Sequence, residues 1–521
     1  MPDTHRTFSA LWERAVREHA ERPFLVFLDA QGTRNEWSYG SFHDRVERVA
    51  GALSQAGVRA GDPVHVALKN SPAFIAIWLA AARLGAWIVS VDPASAARDI
   101  ASQLSRTGAR VGVYGAERAA AYRAGSEGAL DRAFALREDA TDLLDGAALL
   151  GAPAAAVPVA ADTRLALMFT SGTTSAPKGV ILTQGNYHSC ARAMSEIIAL
   201  GPEDRWFVTL PLFHANAQFY CFNAAIAVGG SVALTSTFSA SGWFTQARDL
   251  AVTHASLFAA PIRMILARRP EDAPRLALRH LWFAQSLGEE HFQRFAELIG
   301  VAPRQLYGMT ETLAVVTADL SAQPGPDVIG TPVLSRAVRL LDPDTGAEVA
   351  EGEPGIITVA GTRGIDLFEG YLDDPVKTEA AFQVRDGRTW FSTGDLAQRT
   401  PDGSYRFVGR VDDVIKVSGE NVSLTEIEAV LAQAPGVFEV AVLAEADPVR
   451  DTVPVAYVVP RDPASPPDLD ALAAWAGEHL APSARPRAWH LIEDLPRTSV
   501  GKVRRFKLSP ALSTTPSGGT P

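Results

Sequence analysis

Cysteine is nearly absent: Cys190 and Cys221 are the only two in 521 residues. They have neither a metal-ligand spacing nor a disulfide framework, so both are expected to be core thiols in a reducing cytoplasm. Positive charge is also in deficit. With 48 Lys and Arg against 59 Asp and Glu the net charge is −11. That balance argues against a nucleic-acid partner, whose footprint would be basic, and suits an enzyme that holds small anions in local pockets. A clean apolar span of membrane length is missing too. The nearest stretch, 73–91, contains Arg83 and Gly85 and divides into a helix followed by a strand at 87–91, so no membrane span is expected. The N-terminus mixes acidic and basic residues through an amphipathic helix over 9–20, which is not the order of an export signal. No internal repeat is present.

What is there is a long globular composition, enough for more than one compact unit. Up to about residue 320, short β-branched or apolar runs (64–68, 111–114, 206–210, 231–235, 256–260 and 281–284) alternate with helical patterns. That alternation predicts α/β layers built on mostly parallel strands. The Ala-, Pro- and Asp-rich stretch 138–162 reads as a surface loop between two halves of this large domain. After Val328 the segments 337–341 and 355–360 lie between Asp/Gly/Pro turns, as in a smaller β-rich part spanning about 325–409. Beyond Arg410 helices and strands mix again in an α+β unit, and 513–521 has the composition of a disordered tail.

The chemistry begins at 167–180, LMFTSGTTSAPKGV. An apolar strand, 165–169, gives way at Thr170 to a run of hydroxyls and glycines: Ser171, Gly172, Thr173, Thr174 and Ser175, then Lys178 and Gly179. Glycine lets backbone N–H groups approach phosphate oxygens, hydroxyls donate singly, and lysine adds a charge that needs no planar geometry. One exposed ion pair is worth only ~1 to 4 kcal/mol, so the loop works through many donors together. The glycine and lysine spacing is not that of the P-loop of nucleotide hydrolases. A Ser/Thr/Gly surface turn is the other reading.

Downstream stand four further signals. Tyr307-Gly308-Met309-Thr310-Glu311-Thr312 follows a strand-like 304–306; it offers a stacking ring, then a hydroxyl beside a carboxylate suited to a phosphate oxygen and its Mg²⁺, or it is a core tyrosine before a turn. In Ser392-Thr393-Gly394-Asp395 the carboxylate can accept both hydroxyls of a ribose, or simply form a turn. The charged run 409–421 and the basic loop 496–505, which contains Gly501 and Lys502, read by themselves as solvated charge.

Taken in this order over about residues 10–508, the five motifs resemble those of the adenylate-forming superfamily of acyl-CoA synthetases, luciferases and peptide-synthetase adenylation domains. The YGMTET and SGENVS strings and the region 238–266 are most similar to acyl-CoA synthetases of the crotonobetaine/carnitine-CoA ligase type. The resemblance implies an α/β plus α+β architecture: a large N-terminal domain, 1–409, a hinge at 410–413, and a small mobile C-terminal domain, 414–512. It implies an ATP-, Mg²⁺- and coenzyme A-dependent acid–thiol ligase that forms an acyl-adenylate and pyrophosphate, then a thioester. A carrier protein is the alternative acceptor.

By position, the resemblance assigns Thr170 to Lys178 to the β- and γ-phosphates, Glu311 with Thr170 to Mg²⁺, and Thr310 to the α-phosphate. Tyr307 would flank adenine, and Asp395 with Arg410 would hold the ribose. Lys502 would bridge the carboxylate and the α-phosphate. Rotation about Asp412 would then withdraw Lys502 and bring the loop around Gly419 to a pantetheine channel. His214 falls at the gate of the acid pocket, where a packed histidine is the other reading. No aspartate follows it to pair with an amine, so a free α-amino acid is disfavoured. Ala215, Ala217 and Ala225 are expected to leave room there, and Asn216 and Gln218 to meet a substrate oxygen. Two departures stand out: 284–288 reads AQSLG where many relatives carry a glycine pair, and Asn421 stands where many carry an arginine.

Overall fold

A computed structural model describes residues 6–137, 149–170, 177–313, 315–334, 336–417, 420–447, 451–497 and 503–508. Of the sequence expectations, Ser171–Ala176 of the phosphate loop, 138–148 of the predicted surface loop, Gly419, Lys502 and the 513–521 tail lie outside these residues.

The chain begins with helices whose starts are written in hydroxyl residues. Thr7 accepts the Ala10 N–H to open Phe8–His19, Ser38 and Ser41 form a reciprocal cap for Tyr39–Gln55, and Ser71 with Pro72 opens Pro72–Leu84. The last of these is buried along its whole length and stops at Gly85 in the left-handed conformation, after which Trp87–Ser90 runs as a strand. The apolar stretch is thus a core helix and a core strand. Among the described residues no helix is long and apolar enough to cross a membrane.

Two large sheets clamp these helices. One has seven strands, and its centre, Trp87–Ser90, Pro63–Ala67, Val111–Gly115 and Arg132–Leu136, is parallel throughout. The other has fourteen strands, and its parallel portion contains Pro23–Leu28, Ser231–Thr235, Arg205–Val208, His254–Phe258, His280–Ala284 and Arg304–Tyr307. Between them lies the main core, where Phe8, Trp12, Phe42, Trp78, Tyr187 and Phe222 meet side chains from both sheets. Each such side chain contributes ~1.5–3 kcal/mol through burial. Further helices, among them Trp243–Asp249, Ala259–Arg268 and Glu289–Ile299, cover the outer face of the larger sheet, while Ala97–Thr107 packs on the smaller one. The result is helices and sheets in alternate layers.

The β-rich part does not form a sheet of its own. Its strands continue the larger sheet through Thr317–Ala318 and Val328–Pro332, where pairing changes to antiparallel, into Tyr405–Arg410, Arg388–Arg399, Pro354–Ala360 and Val338–Leu341. The segment 149–162 straps helices rather than lying loose: Gly151 and Ala154 donate to the Arg48 and Glu47 carbonyls, and Leu149 is fully buried. A separate five-stranded sheet carries 414–491 with the helices Leu424–Leu431 and Leu469–His479 on its own core. It meets the preceding body closely at Gly409, where an added Cβ would lie 2.8 Å from the Ser423 hydroxyl oxygen. That hydroxyl donates to the Val408 carbonyl at 2.9 Å.

Candidate active site

Parallel strands deliver their following loops to one edge of a sheet, and ligands of open α/β sheets sit outside that edge. In the larger sheet, Arg205–Val208, His280–Ala284 and Arg304–Tyr307 all end there. The loops that follow carry His214, the 284–288 segment, and Thr310 with Glu311, so residues a hundred positions apart share one rim.

The strands that flank the phosphate loop belong to the smaller sheet, and their pairing differs from the sequence expectation. Strand Arg164–Thr170 returns antiparallel as Lys178–Thr183, with Thr170 opposite Lys178. The loop is therefore the tip of a hairpin, and Lys178 opens the returning strand instead of riding on the loop. A P-loop, which passes from strand to helix, is a different construction. The strand Gly370–Tyr371 pairs next to it, placing Tyr371 opposite Val180.

That pairing brings together three groups. The Tyr371 hydroxyl donates to Glu311 Oε1 at 3.1 Å, and Lys178 Nζ lies over the Tyr371 ring, 5.5 Å from its centroid. Glu311 sits in the single 3₁₀ turn Thr310–Thr312, whose geometry fixes the carboxylate against the sheet. Burial pushes its carboxyl pKa up, while the hydrogen bond from Tyr371 and the charge of Lys178 pull it back. A buried carboxylate held by a phenol and a nearby ammonium fits a hard divalent cation that takes its remaining ligands from phosphates and water. Among the described residues no group of three or more His, Cys, Asp or Glu is placed to hold a metal ion by itself.

The larger sheet carries a second cluster. Tyr307 donates its hydroxyl to Asp395 Oδ2 at 2.7 Å, and Arg410 Nη1 lies 3.0 Å from Asp395 Oδ1. Strand pairing sets this up, because Asp395 is opposite Arg410 in the sheet. The Asp395 turn of the sequence reading is the middle of the long strand Arg388–Arg399, bent at Gly394, whose φ of 73° favours glycine. Tyr307 is largely buried, packed with Ile329, Leu340 and Phe407. Gln285, in the segment read as departing from a glycine pair, holds φ at 77°, a conformation costly for a side chain. It lies exposed beside Ser286, whose carbonyl accepts from Arg263 at 2.8 Å.

His214 ends the turn after Arg205–Val208, its ring tilted by 44° against that of Phe213 with centroids 4.5 Å apart. Burial depresses its pKa to about 4, with Asp92 pulling the other way, so the ring is neutral at physiological pH. Its Nε2 is buried and has no partner among the described residues. The remaining acid-pocket expectations are corrected. Gln218 is fully buried, accepting from the Tyr187 hydroxyl at 2.6 Å and donating to the Leu212 carbonyl at 2.6 Å, so its amide is occupied by the fold. Ala217 and Ala225 are packed in the main core and leave no space for a substrate. Asn216 donates to Ser256 at 2.9 Å. The cause is the π-helical turn Asn216–Phe222, which adds a residue per turn and rotates these side chains away from the positions an α-helix would give.

Part of the charge in the run 409–421 and in the basic loop is paired within the fold, while Lys416 is exposed. Asp413 is buried and pairs with Arg505 Nη1 at 2.9 Å, while Arg505 Nη2 reaches Glu428 at 2.7 Å. Arg497 pairs with Glu439, which Arg263 of the large body approaches to 3.9 Å.

Comparison with known proteins agrees with this arrangement. The family model for AMP-binding enzymes matches residues 12–372, and that for the AMP-binding enzyme C-terminal domain matches 426–502. A crotonobetaine/carnitine–CoA ligase of Salmonella arizonae is 28% identical over 96% of this chain and 98% of its own. Among solved structures, ATP-bound MatB from Rhodopseudomonas palustris superposes with a TM-score of 0.83 at 25% identity, covering 96% of this chain and 98% of that one. The anthranilate CoA ligase AuaEII in complex with anthranoyl-AMP shares the fold with a TM-score of 0.86 at 24% identity, covering 96% of both chains.

Proposed function

The chain belongs to the AMP-binding enzyme family, and from that premise we propose how its residues divide the work of an ATP-dependent acyl-CoA synthetase. The activity is acid–thiol ligation through an acyl-adenylate, with ATP, CoA and a small carboxylic acid as substrates. A carboxylate is a poor acyl donor because its leaving group is an oxide; adenylation supplies a stabilised phosphate in its place. The carrying observation is the meeting of the two sheets: Lys178 and Tyr371 of the smaller sheet gather on Glu311, which follows a strand of the larger one, and Tyr307, Asp395 and Arg410 of the larger sheet form a second cluster after the same strand.

Lys178 and the preceding hydroxyls hold the β- and γ-phosphates, and Thr310 touches the α-phosphate. Glu311 and Thr170 are the residues that would hold Mg²⁺, which neutralises phosphate charge when bound. Asp395, oriented by Tyr307 and Arg410, accepts the ribose hydroxyls. The acid enters beside His214, whose neutral ring lets a carboxylate approach without forming a fixed ion pair. In-line attack of the carboxylate oxygen on the α-phosphorus forms the new P–O bond and expels pyrophosphate. Lys502 stabilises the shifting charge by position alone.

A unit comprising 414–512 then turns about Asp412, removing Lys502 and bringing Gly419 to the thiol channel. The thiol sulfur attacks the acyl carbon, and AMP leaves with the bonding pair. A hinge between two separately cored sheets lets the backbone turn without opening either core. The curated relative at 28% identity supports a non-amino acid as substrate. Both cysteines are free and buried, which supports a reducing compartment, the cytoplasm.

The test is pyrophosphate release across an acid panel with CoA added or omitted. A soluble acyl-CoA is expected; a reaction that stalls at acyl-AMP with CoA present would point to another acceptor. In the same assay Lys502→Ala is expected to lower adenylation about 100- to 1000-fold, taking ~3–4 kcal/mol for one lost charge stabiliser, while sparing thioester formation from supplied acyl-adenylate. Equal losses in both steps would refute the alternating role.

A further inference from the structure

Away from the rim, a cleft of about 660 Å³ opens between the antiparallel strands and the 361–366 segment. Its charged lining is Arg336, Arg363, Arg388 and Asp366, three cations against one anion, on a protein whose net charge is −11. Gly361 and Thr389 also line it, joined to each other by the Gly361 N–H and the Thr389 carbonyl at 3.0 Å.

The arginines are not spent on one another's neighbours. Arg336 is half-buried; its Nη2 donates to the Asp366 carbonyl at 2.6 Å, and its Nη1, itself buried, has no partner among the described residues. A buried guanidinium nitrogen without an acceptor is costly and calls for an oxygen that the fold does not supply. Arg388 is exposed and has no ion pair or hydrogen bond among the described residues. Arg363 is braced: Nη1 meets Glu379 at 2.8 Å, Nε and Nη2 donate to the Glu369 carbonyl, and its plane lies over Phe382. A rigid guanidinium and two with spare donors make a fork for a tetrahedral oxyanion, and the volume admits a molecule of nucleotide size.

We propose that this cleft is a second anion site, distinct from the nucleotide rim, that binds a phosphate-bearing small molecule. The same segment that lines it leads to the phosphate end of the active site: Phe368 N–H donates to the Glu311 carbonyl at 2.9 Å and Tyr371 holds the Glu311 carboxylate. Gly364, upstream of both, accepts at its carbonyl from the Thr183 hydroxyl at 2.6 Å. A ligand that draws on Arg336 and Asp366 therefore pulls on the strap that sets Glu311.

The experiment is calorimetric titration of the full-length protein with inorganic phosphate, in wild type, Arg388→Ala, Arg336→Met and Lys178→Ala. Saturable binding that survives Lys178→Ala and weakens at least 10-fold in Arg388→Ala is expected. Arg388 is an exposed side chain on an intact strand, so that variant keeps its fold even where Arg336→Met does not. Binding abolished by Lys178→Ala and untouched by Arg388→Ala, or no saturable binding in wild type, overturns the proposal.

Comparing CoA with dephospho-CoA identifies the source of the phosphate. A rise in KM in Arg388→Ala that is confined to CoA assigns the phosphate of that substrate, whereas unchanged KM values beside a phosphate-dependent shift in the Mg²⁺ requirement assign a free effector. The calorimetric readout needs no turnover, so it stands or falls separately from the assignment of the reaction.

Discussion

Replacing Tyr371 by phenylalanine removes one oxygen and keeps the ring over which Lys178 Nζ lies. What is lost is the 3.1 Å hydrogen bond to the Glu311 carboxylate. The phenol is a dependable donor, because burial first, and the Glu311 charge second, raise its pKa well above the usual tyrosine range. A hydrogen bond to a charged group is worth ~1.5–3 kcal/mol, and even the lower figure corresponds to about a tenfold loss of a correctly held carboxylate. The direction with pH is also fixed. Burial already holds the Glu311 pKa high and the Tyr371 bond lowers it, so Tyr371→Phe raises it further. The acid limb of the adenylation rate moves to higher pH, and more Mg²⁺ is needed at a given pH because protons compete better for the carboxylate. The assay is acid-dependent pyrophosphate–ATP exchange measured against pH at several Mg²⁺ concentrations. A variant with the wild-type acid limb and Mg²⁺ dependence would show that Tyr371 merely fills space.

Three other outcomes are expected. Arg505→Met leaves buried Asp413 and half-buried Glu428 without their cation, Glu428 keeping the Val442 N–H, and should destabilise the C-terminal unit by ~3–5 kcal/mol in urea unfolding, partly recovered by adding Glu428→Gln; full stability in the single variant would contradict this. Gln285→Gly relieves a φ of 77° and should stabilise by ~0.5–1 kcal/mol once the entropy of glycine is deducted, read as a higher urea midpoint with an unchanged slope. His65, His214 and His254 are each depressed by burial from 6.5 to about 4, so the unfolded chain binds the extra protons between those values. Stability should therefore be complete above pH 6.5 and fall as pH drops toward 4, and equal urea midpoints at pH 7 and pH 5 would exclude the effect.

The rim was legible where function is written in short strings. The loop beginning at Thr170, the Thr310–Glu311 pair and Asp395 each combine residue types that a phosphate, a cation or a ribose requires, and their order along the chain added what no single string could. Tyr371 was not legible, because its role exists only through the pairing of Gly370–Tyr371 with the strand Lys178–Thr183, and no local pattern encodes a contact so distant in sequence. The walls of the acid pocket were misread for another reason. Small and polar residue types do not by themselves say whether a side chain faces a cavity or the core, and Ala217, Gln218 and Ala225 are wholly buried. Charge at 409–421 and 496–505 read as solvation, since the neutralising partners Glu428 and Glu439 belong to other elements. The α/β alternation predicted the parallel strands well, but composition changes at Val328 without any break in the hydrogen-bonded sheet.

Arg83, set among the wholly buried residues of Pro72–Leu84, is held by Glu13 and by Glu47, the latter at 2.9 Å. Both acids precede it in the chain. During synthesis each has therefore left the ribosome before the guanidinium emerges, and the most oil-like segment of the protein meets its counter-ions at birth. Both acids ride on the two helices made before this one, so the charge carried into the core is balanced by elements already synthesised when it emerges.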